Sequence, residues 1–333
     1  MTVHLTAGAA SGIGSLPHTD ARAAAEFVLE RLPDLPAIPS LPQRSPAERM
    51  LAQAAVGVPG VAIDERGRIV LAPGPSRRSA EVLTDLDHDA FGGLRGFLEV
   101  AAGWKGPVKW QLTGPVTLGL AFVRAGMPVA PAFALAARAV RERLRTIGEA
   151  VAEVVAPGSQ VVMIDEPGLT GLMQAGFPLD PDTAIDLVSG ALAAVEPASL
   201  AGVHCCGPGD WSAILASGPG ILSLPMRAGI EAVAGYLAQF LDDGGWVAWG
   251  VVPTDGPVGT TADRHWRELA DLWCRLVQGG CDAVRLRRQA IVTPACGLGL
   301  HELSAVDHVF ELVDAVADRV HGQAVATRLS VGA

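Results

Sequence analysis

No stretch of this chain approaches the roughly 18 uninterrupted apolar residues that a membrane-spanning helix requires, although half of its 333 residues are hydrophobic and the mean hydropathy is +0.33. Alanine and valine spread over many helices and strands account for that value, and a soluble protein with no membrane partner is expected. Basic clusters are absent too. Twenty-five Lys and Arg stand against 35 Asp and Glu, a net charge of −10, which argues against nucleic acid as a partner. The opening segment, MTVHLTAGAASGIGSLP, has no Lys or Arg and no long apolar run, so no secretory signal is expected there. Cysteine is scarce and odd in number: Cys205, Cys206, Cys274, Cys281 and Cys296. That count argues against a disulfide framework and for reduced thiols in the cytoplasm. No linker, low-complexity tract or internal repeat interrupts the chain, so residues 1–333 are read as one domain.

Short apolar runs alternate with longer amphipathic ones. QVVMI at 160–164 stops at Asp165-Glu166-Pro167, GVVPT occupies 250–254, and AIVTP at 290–294 precedes Ala295-Cys296. Continuous rather than alternating apolar runs suit parallel strands buried on both faces. The segment 132–155 places Phe133, Ala136, Val140, Leu144, Ile147 and Val151 at three- and four-residue steps, the period of a helix with one apolar face. Further helices are predicted over 266–277 and 303–320. Candidate strands end near Ser15, Leu41, Thr113, Asp165, Cys206, Leu224, Pro253 and Pro294. Eight strand–helix units predict an α/β fold of the (β/α)₈ barrel type, with a doubly wound sheet as the alternative. The run VAIDERGRIVL at 61–71 reads as a β-hairpin turning at 65–67, inserted near 60–72 after the second strand.

Almost every unusual polar residue falls where a predicted strand ends: Ser15, Thr113, Asp165, Glu166, His204, Cys206 and Cys296. In a barrel those ends share one face, where active sites are built. His204 and Cys206 are two apart, and residues i and i+2 of an extended strand point the same way, so both can reach one ion while Cys205 points away. Cys296 can supply a third ligand. An imidazole and two thiolates favour Zn²⁺ and leave a fourth tetrahedral position open. Buried cysteines beside a core histidine would give the same pattern.

Several strings together carry a family resemblance. Ile13-Gly14-Ser15-Leu16-Pro17-His18-Thr19, Leu112-Thr113-Gly114-Pro115-Val116-Thr117, Phe122-Val123-Arg124, Ile164-Asp165-Glu166-Pro167, His204-x-Cys206 and Pro294-Ala295-Cys296-Gly297-Leu298 occur in this order. They resemble the motifs of the catalytic barrel of cobalamin-independent methionine synthases, over about residues 12–300. The resemblance implies a (β/α)₈ barrel in which zinc, on His204, Cys206 and Cys296, binds the thiol of homocysteine for methylation to methionine. It implies that Ser15 and the backbone from Ile13 hold the amino acid's carboxylate and that Asp165 pairs with its ammonium. Thr113, Thr117 and Trp110 would line the methyl-donor side, Trp110 alternatively serving packing alone. Glu166 is a further substrate-binding or acid/base candidate, although adjacent strand residues face opposite ways.

The match departs from the family in four places. Pro225 stands where a fourth zinc ligand, a Glu, is expected, leaving water, His301 or Glu302 to complete the shell. No acid follows the second strand at the expected place, Glu48 lying a turn further on. The run Gly250-Val251-Val252-Pro253-Thr254-Asp255 replaces a catalytic His and is closer to uroporphyrinogen decarboxylase-like barrels, with Asp255 the candidate to stand in as a catalytic group. A single barrel, without the second N-terminal barrel of the long enzymes, makes a methyl-corrinoid protein an alternative donor to methyltetrahydrofolate. Other readings of the same features are a zinc alkyltransferase acting on another thiol, similar to epoxyalkane:coenzyme M transferase, a degenerate barrel that only binds a metal or metabolite, and a zinc-free decarboxylase-like barrel.

Overall fold

The computed structural model describes residues 3–72, 81–196, 198–256 and 258–331. Its strands are β1 (Ala9–Ala10), β2 (Val61–Ile63), β3 (Ile69–Leu71), β4 (Val108–Thr113), β5 (Gln160–Asp165), β6 (Leu200–His204), β7 (Ile221–Pro225), β8 (Trp246–Val252) and β9 (Ala290–Pro294). Seven form one parallel sheet in the order β1-β9-β8-β7-β6-β5-β4, with helices in the crossovers. Residues 37–40 bridge its two edges: Ala37 pairs with Lys109 and Ser40 with Ser15. Ile38 N–H donates to the Lys109 carbonyl at 2.7 Å and Leu16 N–H to the Ser40 carbonyl at 2.9 Å. The curled sheet thus closes as the (β/α)₈ pattern requires. Pro36 and Pro39 cannot donate to a ladder, which keeps this eighth position to isolated bridges.

Side-chain alternation sorts the strands into two cores. Val162, Ile164, Val203, Leu222, Val247 and Val292 face the helices within the large outer core. Val161, Met163, Ile221, Ala248 and Ile291 share the opposite face and form a separate apolar plug with Ala9 and Leu35. Asp165, His204 and Ser223 have the parity of that plug and lie side by side in register. The functional groups therefore stand above an apolar floor, at the C-terminal ends of the strands.

Where the ladder is thin, buried side chains tie the strands together. Lys109 Nζ donates to the Ile13 carbonyl at 2.8 Å and to Gln111 Oε1 at 3.1 Å, and Gln111 Nε2 donates to the Ile38 carbonyl at 3.1 Å. Gly14, at φ +140°, lies against this amide, where a Cβ would come within 2.0 Å of Gln111 Nε2. No other residue fits there. The predicted hairpin is present: β2 and β3 pair antiparallel about a turn closed by Gly67 at φ +73°. The predicted helices are Val129–Ala152, Ala262–Gln278 and Leu303–Val331. Among the described residues no helix is long and apolar enough to cross a membrane.

Candidate metal centre

His204 closes β6 and Cys206 follows two residues on, while Cys296 follows β9 by two. One ligand atom from each lies within 4.8 Å of the others. Among the described residues this is the cluster of His, Cys and acidic side chains able to hold a metal ion, and neither His301 nor Glu302 joins it. Cys205 takes the opposite parity, buried, with its Sγ 3.8 Å from the Gly207 carbonyl. Pro225 is a cavity wall.

The imidazole is already oriented. His204 Nδ1 bonds Ser223 Oγ at 2.9 Å, while Nε2 is buried without a hydrogen-bond partner in the protein. A buried ring nitrogen with no partner is costly, and an ion at the triad would satisfy it. Cys206 and Cys296 are hydrogen-bonded to each other. The neighbouring Cys206 and His204 hold the Cys296 thiol well below the usual thiol range, and the proton the cysteine pair retains is held on Cys206, which is pushed up. One imidazole and two cysteine sulfurs fit a borderline or soft divalent ion. Ser223→Ala should leave the ring free to rotate and weaken metal binding about 10–100-fold, measured by competition with a chromophoric chelator. Unchanged affinity would show that Ser223 does not orient the ligand.

Ser15 holds the loop that carries Cys296. Its carbonyl accepts the Leu298 N–H at 2.9 Å and its Oγ the Gly299 N–H at 3.2 Å. Gly297 packs so closely that a Cβ would lie 2.2 Å from Ser15 Oγ. The Ser15 hydroxyl keeps its own proton to donate.

Asp165 sits beside the triad, 7% exposed, with Oδ1 unpaired by any protein group. Burial pushes its carboxyl up to about 6, with His204 and Lys109 opposing. The same burial pulls the Lys109 ammonium down to about 8, against Asp165. Glu166 points elsewhere. It accepts the Val116 and Thr117 N–H groups at 2.9 and 2.7 Å and the Thr117 hydroxyl at 2.6 Å. Its carboxylate thus satisfies the N-terminus of helix Pro115–Arg124, even though burial lifts it to about 7. Trp110 faces the outer core and donates to Gln160 Oε1 at 2.8 Å. Thr117 is engaged with Glu166 and with Gly168 N–H at 3.0 Å.

A cavity of about 840 Å³ opens over the triad, and Ile13, Ser15, Gln111, Thr113, Asp165 and Asp255 are in its wall. Thr113 spends its hydroxyl on the Met50 carbonyl at 2.9 Å. Glu48 also borders this cavity, but Arg44 Nε at 2.5 Å and the Leu41 and Gly93 N–H groups take up its carboxylate. A second cavity, of about 430 Å³, shares Cys206, Cys296, Thr254 and Asp255 with the first. Glu166 borders neither. Sequence reasoning missed Ser223, a lone polar residue in an otherwise apolar strand, and Lys109 and Gln111, which alternate with apolar residues along β4.

No family model matches the chain, and no curated protein matches it. Among solved structures, a methyltransferase from Methanosarcina mazei superposes with a TM-score of 0.59 at 16% identity, covering 96% of this chain and 94% of that one. The two chains share a fold.

Proposed function

We propose that this protein is a zinc-dependent thiol methyltransferase that converts homocysteine to methionine, with methyltetrahydrofolate or a methyl-corrinoid protein as donor. The observation that carries this reading is the convergence of His204 Nε2, Cys206 Sγ and Cys296 Sγ beside an unpaired Asp165 oxygen, at the mouth of one cavity. The donor set suits zinc, and three protein ligands leave a position free. Zinc bound there supplies the positive charge that turns a thiol of pKa near 8.5 into a thiolate at neutral pH.

The chain's own groups do the rest. Asp165 takes the ammonium of the amino acid, its charge restored by that partner. The Ser15 hydroxyl and the backbone from Ile13 take the carboxylate. Thr113 bounds the cavity, and Asp255, at the junction of the two cavities, is placed to accept a proton. Anchored at both ends, the substrate keeps its sulfur over the triad, which cuts the entropic cost of alignment.

Metal analysis of the purified protein should find one equivalent of zinc, and homocysteine should shift its X-ray absorption edge toward sulfur ligation. Incubation with methylcobalamin or methyltetrahydrofolate should then yield methionine. Stoichiometric zinc whose edge ignores homocysteine would eliminate this thiol as substrate. Protein isolated without any metal would eliminate the reading.

A further inference from the structure

The smaller cavity differs in chemistry from the larger. It lies over the ends of β7 and β8, walled by Pro208, Pro225, Met226, Ala228, Val251 and Pro253. Arg227 and Glu268 also border it, bonded to each other at 2.9 and 3.0 Å. Within the cavity wall this Arg–Glu pair carries no net charge of its own, Arg264 bonding the same carboxylate at 3.0 Å from outside the wall, and Asp255 stands at the border with the polar cavity. An apolar wall with its charges paired suits an uncharged, apolar occupant. Size narrows the choice. A methyl group needs about the 30 Å³ of one water, and the cavity measures about 430 Å³.

Cys206 and Cys296 border both cavities, so a ligand whose own sulfur sits at the triad can extend into each. We propose that the smaller cavity receives the alkyl substituent of a thioether whose polar end occupies the larger one, and that this protein accommodates alkyl groups longer than methyl. The proposal rests on the thiol-transferase reading above and extends it to the size of the group transferred.

The test is calorimetric titration of the zinc-loaded protein with methionine and with S-ethyl-, S-propyl- and S-butyl-homocysteine. Each added methylene should tighten binding about three- to fourfold until the lobe is full. Ala228→Phe, which fills the lobe, should abolish that gain. Met226→Ala, which enlarges it, should move the optimum to a longer chain, and it keeps the test open should the first variant fail to fold. Affinity that is flat or falls with chain length, while methionine binds, would overturn the alkyl lobe and leave the transferase reading standing. Binding by no member of the series would remove both.

Discussion

Alanine or serine at Cys296 should weaken metal binding about 10²–10³-fold and bring turnover below detection, while the metal-free barrel unfolds as the wild type does. The first part follows from the ligand count. Zinc bound through protein ligands is worth about 10–16 kcal/mol at neutral pH. Shared among three side chains and one exogenous group, that is roughly 3–4 kcal/mol each, or two to three decades at 1.36 kcal/mol per decade. The second part follows from where the residue sits. Cys296 lies beyond β9, half-buried, in a loop fixed by backbone groups. Ala295 N–H donates to the Val252 carbonyl at 2.8 Å and Leu298 N–H to the Ser15 carbonyl at 2.9 Å, and neither bond involves the thiol. A change in metal-free stability of under about 1 kcal/mol is expected, as for substitutions outside the core. Chelator competition and urea unfolding of the apoprotein measure the two effects separately. Loss of folding along with the metal would recast the ion as structural. Cys206→Ala should behave in the same way.

Much of the site could be read in the chain because its residues are anchored to strand ends. Apolar runs ending in Thr113, Asp165 and His204 carry side chains whose direction follows from the period of two. His204 and Cys206 therefore share a destination that spacing alone reveals. Their meeting with Cys296 depends on barrel closure, which the eight-fold alternation implied and the 37–40 bridges complete. Glu166 shows where such reading stops. It adjoins Asp165 in the most recognisable of the motifs, yet its neighbours on the other face of the strand are the open amides of helix Pro115–Arg124, and no local pattern announces that helix's approach. Ser223 and Lys109 were hidden for a related reason. A polar residue in a strand signals a partner, but the partner, His204 Nδ1 or the Ile13 carbonyl, belongs to a distant part of the chain. The smaller cavity is a property of four strand-end loops and a helix face that converge only in the folded chain.

Asp165→Asn should separate stability from binding in opposite directions. In the fold, burial raises the carboxyl from 3.8 to about 6, so the folded state holds its proton more tightly than the unfolded chain. Below about pH 4 the group is protonated in both states and costs nothing. As pH rises to about 6 the unfolded chain loses its proton first, and stability falls by about 3 kcal/mol before levelling off. Asparagine does not titrate. The metal-free variant should lack this fall between pH 4 and 6 and match or exceed the wild type in urea at pH 7. Binding should move the other way. A charge-assisted bond to an ammonium, worth about 1.5–3 kcal/mol, is lost, and homocysteine affinity of the zinc form should drop about 10–100-fold. Metal affinity should change by less than about threefold, because Asp165 lies outside the ligand set. Calorimetry with homocysteine, chelator competition and a pH series of urea titrations measure the three quantities. Equal losses of metal and substrate would move Asp165 from substrate recognition to support of the metal. A variant less stable than wild type at pH 7 would show that its buried charge is already paired within the fold.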